Sequence, residues 1–175
     1  MQDQLSDVIV SYDPDGHNPW TENSGLIWDV ERRPEGQSFW DLAANWSRVG
    51  AGTVAWIHRR RDGGRLAALM MFTGDPVEIQ MKQRVYRRCA GELRLLRASV
   101  PTARIRSHPD WSNKAPYTTN RATAFASGVQ LAVREVTVLT SLITAEDQAW
   151  LAQARRMVEA GWQAGQMGIS PSRTA

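Results

Sequence analysis

Pro76 and Pro101 bracket the stretch whose pattern most constrains what this chain can fold into. Pro76 suits the first turn of a helix, and Asp75 just before it can cap one. From Val77 to about Ser99, at 100° per residue, Met81, Val85, Cys89, Leu93 and Leu96 gather on one side. Arg84, Arg87, Arg88, Arg94 and Arg97 gather on the other. The spacing predicts a long amphipathic helix that Pro101 ends. An ordinary solvated face carries both signs of charge, whereas these five arginines have only Glu78 and Glu92 as local acids. This surface is therefore the leading candidate for phosphate contact.

The rest of the chain reads mostly as helix. Ser38 can cap a helix from Phe39 to about Arg48, with Phe39, Leu42, Ala43 and Trp46 on one face and Gly50 and Gly52 ending it. Asn120 can cap another to about Ser141. Its Phe125, Val129, Ala132, Val136, Leu139 and Ile143 form a bundle-like seam. Thr144-Ala145-Glu146-Asp147 is a capping box that opens a last helix to about Gln163, with Trp150, Ala154, Met157 and Val158 facing inward. Residues 53–72 allow two readings. A hairpin could turn at Asp62-Gly63-Gly64; two short helices are favoured by Ala67 to Met71, and the weight falls on helix. Residues 1–36 hold turn chemistry at Asp13-Pro14-Asp15-Gly16, Asn18-Pro19 and Pro34-Glu35-Gly36, with short extended segments at Val8 to Tyr12 and Leu26 to Val30. The expected architecture is mainly α: an acidic irregular arm over 1–36, a helical bundle over 37–165 and a flexible tail over 166–175. The alternative is α+β with a small hairpin at about 53–72.

Several function classes fall away. A chain of 175 residues can bury a sizeable core without staples. Its single cysteine, Cys89, excludes an internal disulfide framework and multi-cysteine metal sites, and its place on an apolar stripe makes it a small buried hydrophobe. The uncharged run between Glu135 and Glu146 is too short to span a bilayer, and the start of the chain lacks a signal-like pattern, so a soluble cytoplasmic protein without membrane partners is expected. His17, His58 and His108 lie far apart and in no metal-ligand spacing. His58 precedes three arginines and is expected at the surface, while His108 before Pro109 is a turn residue. No nucleophile elbow or phosphate-binding glycine loop is present, and pairing Asp110 with Asp62 has no support from spacing. Neither catalysis, a metal nor a cofactor is expected.

Charge points instead to binding. The chain holds 19 Arg against 2 Lys, a bias that coding composition or a preference for bidentate phosphate contacts can each produce. Residues 1–36 carry eight acids and two bases; the remainder carries 19 bases and 10 acids. Such asymmetry suggests a nucleic-acid surface, or an arm that neutralises part of that surface. The basic candidates form three clusters: Arg59, Arg60, Arg61 and Arg65; Arg84, Arg87, Arg88, Arg94 and Arg97; and Arg104, Arg106 and Lys114. Aligned in space they would track the backbone of RNA or single-stranded DNA without reading its sequence.

The Phe39-Trp40 helix start, Trp46, a glycine-alanine step, the Arg59 to Arg61 cluster and the arginine-bearing helices together resemble the small helical subunit of Cascade-type CRISPR effector complexes. The likeness covers residues 38–165 as an architecture and has no invariant motif; the acidic arm departs from it. It implies a non-catalytic bundle, several copies of which steady guide RNA and target strands inside an antiviral ribonucleoprotein alongside other protein subunits. The alternative class is a phage virion or connector protein that assembles through its tryptophans, eight in all.

Overall fold

The computed structural model describes residues 7–15, 29–43, 49–81, 84–112 and 129–161. Its strands, in chain order, are β1 (Val8–Tyr12), β2 (Gly36–Ala43), β3 (Val54–Arg59), β4 (Arg65–Phe72), β5 (Val77–Met81), β6 (Arg84–Pro101) and β7 (Val129–Gln130). Its helices are α1 (Thr102–Arg106), α2 (Val133–Leu142) and α3 (Ala145–Glu159), with a 3-10 turn at Val30–Arg32.

β1, β3 and β4 are apolar nearly throughout because both faces of the sheet are covered, which removes the usual alternation. Buried side chains divide with a period of two. Ile9, Val54, Trp56, Leu69 and Met71 face one core, which α1, α2 and α3 complete with Ile105, Val138, Leu139, Ile143, Leu151 and Ala154. Val8, Val10, Ala55, Ile57, Ala68, Met70 and Phe72 face a second core, joined by Val30, Trp40, Leu42, Cys89 and Leu93.

The seven strands form one sheet in the order β2-β6-β4-β3-β1-β7, with β5 also paired to β6. β1 runs parallel to β3, and the remaining pairings are antiparallel. β6 is the spine, pairing β2 on one side and β4 and then β5 on the other. Between Leu66↔Val100 and Ala68↔Leu95 the register jumps, so β6 bulges away from β4 over residues 96–99. Tyr12 in β1 and Trp40 in β2 lie four strand positions apart, roughly 19 Å in a flat sheet. Their rings nevertheless meet edge to face with centroids 6.3 Å apart. The sheet therefore curls strongly, and the second core is largely the inside of that curl.

The expected helical bundle is corrected to this mixed sheet with helices on one face. The helix foreseen at Phe39 to Arg48 is β2 where described, the favoured helices within 53–72 are β3 and β4, and the long helix from Val77 is β5 and β6. A stripe repeating every four residues, as at Met81, Val85, Cys89 and Leu93, satisfies either period, because four is both about one helical turn and two strand repeats. Strand pairing decides the matter here, and Gly91 shows how closely: a Cβ there would meet the backbone carbonyl of Met71 in β4. The helical architecture that underlay the likeness to a CRISPR small subunit is thus absent over β2 to β6.

Local signals fared better. β1 occupies Val8 to Tyr12, although inside the sheet between β3 and β7. The Thr144 hydroxyl caps α3, accepting from the Asp147 N–H at 3.2 Å. The helix expected from Asn120 begins only at Val133, after β7, and residues 113–128 lie outside the described part, as does the tail 166–175. Among the described residues no helix is long and apolar enough to cross a membrane.

Candidate polyanion-contacting surface

Seven of the twelve basic candidates pair with carboxylates, most of which lie far away in sequence. Arg59 and Arg65 share Glu31, and Arg59 also meets Asp62. The Nε of Arg61 donates to both Asp13 oxygens at 2.8 and 2.9 Å, which holds that carboxyl below its usual range. Arg88 makes a bidentate pair with Asp41, both bonds 2.9 Å, and stacks 4.0 Å over the Phe39 ring. Arg87 lies near Glu78. Arg94 and Arg97 converge on Glu35 and Glu146.

The deepest of these contacts is structural. Asp147 is fully buried and accepts from Arg94 Nε at 3.2 Å, from the Arg97 backbone N–H at 3.0 Å and from the Thr144 hydroxyl at 2.7 Å. The β6 bulge leaves the Arg97 N–H free of β4, and the first turn of α3 takes it up. One carboxylate thus caps a helix and joins it to the sheet. Just before β2, Glu35 accepts from the Leu95 N–H at 3.0 Å. The local arginine excess in β6 is therefore answered by acids from the first 36 residues, from β2 and from α3.

Arg60 and Arg104 differ. Arg60 follows directly on β3, where the parallel strands β1 and β3 end, and Arg104 lies on α1. The Thr102 N–H donates to the Gly64 carbonyl at 3.0 Å, which sets α1 beside the β3–β4 turn. That turn runs through positive φ at Arg61 and Asp62 (76° and 49°) and at Gly63 and Gly64. Among the described residues no carboxylate lies within ion-pairing distance of Arg60 or Arg104, and Arg104 is exposed. Arg106 flanks the same corner from the end of α1. Ligands favour the carboxyl ends of parallel strands in α/β sheets, so the location is apt. Arg84 opens β6 opposite Met81, but its side chain and the whole of Lys114 lie outside the described residues.

Under this corner sits His58, fully buried rather than at the surface as expected. Its Nε2 is 2.7 Å from the Thr102 hydroxyl and its Nδ1 is 3.5 Å from the Ser11 hydroxyl. Burial first, then the Arg60 and Arg106 guanidinium groups, push its pKa down to about 3. A neutral imidazole that resists protonation is a poor general base near neutral pH, and its bonds tie β1, β3 and α1 together. Burial likewise pushes the Cys89 thiol up to about 12, far from a reactive thiolate. Asp110 pairs with Arg134 and Asp62 with Arg59, so the two carboxylates are separately engaged. Among the described residues no cluster of three or more His, Cys, Asp or Glu could hold a metal ion.

No family model, curated protein or solved structure matches the chain. The arrangement of its own residues is thus what speaks to function.

Proposed function

We propose that this protein is a non-catalytic binder of a polyanionic backbone, RNA or single-stranded DNA, acting as a subunit of a larger assembly. The observation that carries the reading is the pair Arg60 and Arg104. Neither makes an ion pair with a described carboxylate, although the Arg60 charge is felt at Asp13, while seven neighbouring candidates are paired within the fold. Guanidinium groups at such a corner suit phosphate oxygens, which position a strand without reading it. The contact face is therefore smaller than three aligned clusters, and β6 lends it little. Support for assembly comes from β2 and β5, each of which, among the described residues, pairs with β6 alone. The four described tryptophans are occupied within the fold: Trp40, Trp56 and Trp111 are buried in the cores and Trp150 packs against one of them.

Fluorescence anisotropy with labelled single-stranded RNA, single-stranded DNA and duplex DNA across a salt series tests the reading. Two phosphate contacts to a single strand give a slope of log K against log salt of about −1.4. Arg60→Glu combined with Arg104→Glu is expected to weaken binding more than roughly tenfold at unchanged melting temperature. Absent or salt-insensitive binding, or an unaffected double variant, would overturn it.

A further inference from the structure

At the opposite end of β1 a cleft of about 800 Å³ opens between α2, α3 and the start of the sheet, within the size range of small-molecule sites. The face of α2 that borders it carries Val133, Val136, Thr137, Thr140 and Ser141, positions three and four apart on one side of the helix. The other side, with Val138 and Leu139, is buried against the sheet. α3 contributes Gln148, Arg155, Val158 and Glu159 from across the cleft.

The three α2 hydroxyls that border the cleft act as acceptors because their hydrogens are already committed. The Thr137 hydroxyl donates to the Val133 carbonyl at 2.9 Å, that of Thr140 to Val136 at 2.7 Å, and that of Ser141 to Val138 at 2.7 Å. The Gln148 amide nitrogen donates to the Ile143 carbonyl at 3.1 Å, leaving its oxygen available. Each of these oxygens retains lone-pair capacity. Arg155, the cationic donor among the lining residues, is tied to the buried Asp7 carboxylate at 2.7 Å. Asp7 also accepts from Trp56 Nε1 at 3.0 Å. That pair balances its own charge while the guanidinium keeps further N–H donors, and Glu159 adds one negative charge with no described cation within ion-pairing distance. Val133, exposed at 76%, gives the rim an apolar contact surface, and Leu131 and Val158 extend it inward.

We infer that this cleft binds a small organic ammonium ion with an apolar body. The α2 hydroxyl oxygens, the Gln148 carbonyl and the Glu159 carboxylate take up its N–H donors, while the valines and Leu131 cover its hydrocarbon part. An anion would meet the Glu159 charge and the hydroxyl oxygens and would compete with Asp7 for Arg155, and a neutral alcohol would bring one donor where several acceptors wait. The inference stands apart from the polyanion corner, which lies beyond the far end of β1.

Isothermal titration of the full chain with phenethylamine, 2-phenylethanol and 3-phenylpropanoate tests it, with amide chemical shifts mapping the site. Phenethylamine is expected to bind saturably, with shifts confined to α2, α3 and the start of β1, and the alcohol to bind roughly tenfold more weakly. Glu159→Gln and Thr140→Val should each weaken the amine several-fold with an unchanged circular dichroism spectrum, and Glu159→Gln should leave the alcohol unaffected. Absence of saturable amine binding, equal binding of amine and alcohol, preference for the carboxylate, or an amine affinity indifferent to both variants would each overturn the inference.

Discussion

The two faces of the sheet are both buried, yet they are closed by different physics. On one face α1, α2 and α3 lay apolar side chains over Trp56, Leu69 and Val100. On the other the sheet curls until Tyr12 touches Trp40, and the segment around Val30 plugs what remains. That plug carries polar groups inward. Arg33, only 5% exposed, donates to the Phe39 carbonyl at 3.3 Å and lies 5.6 Å from the Trp40 ring centre, and burial lowers its pKa to about 10. The Tyr12 hydroxyl donates to Asp29 at 2.9 Å, and burial first, then that bond, raises its pKa. A face covered by helices buries polar groups where regular elements meet, as at Asp7, His58 and Asp147. One closed by an irregular segment must satisfy every polar atom that the segment brings along.

The comparison can be broken most severely at Trp56. Trp56→Ala empties the helix-covered core and strips a donor from Asp7, with an expected loss of about 3–5 kcal/mol in chemical denaturation. A loss below about 1 kcal/mol would mean that the helices are not what holds that face. Acid should act on the same face through His58. Its folded pKa of about 3 lies below the unfolded value of about 6.5, so the unfolded chain binds the extra proton between them. Stability then falls as pH drops through that window, by up to about 1.4 kcal/mol per pH unit. His58→Asn should flatten this slope; an identical slope in the variant would remove the assignment.

The arm-covered face is probed more gently at Glu31, which holds Arg59 and Arg65 while half-shielded from solvent. Glu31→Gln is expected to cost about 1 kcal/mol, since partly exposed pairs are screened. Thermal melts at low and high salt would show the difference narrowing as salt rises. Arg61 marks the lower end. Its pair with Asp13 is solvent-exposed, and Arg61→Ala should leave the melting temperature unchanged within error. A clear drop there would show that the β3–β4 turn contributes to closing the arm.

Part of this was open to a reader of the chain alone. Short-range chemistry was legible, as at Thr144 and Asp147, because a cap involves residues three apart on one turn. The burial of Cys89 was legible too, since a small apolar group on an apolar stripe is buried in either secondary structure. The β6 region was not. Its four-residue stripe fits two periods, and both its edges are paired with strands remote in sequence. His58 misled because the three arginines after it suggested solvent, whereas strand alternation turns it inward.

By itself, then, the sequence determined the caps, the turns, a chain with apolar material for a substantial core, and an acidic beginning set against a basic remainder. Tertiary structure alone decided that β6 is a strand, and which arginines form ion pairs with described acids and which do not. The physical reason is the same for each. Strand pairing and ion pairing are satisfied by partners brought together in space, so a local excess of arginine, or a local stripe of apolar residues, carries no record of what will lie across from it.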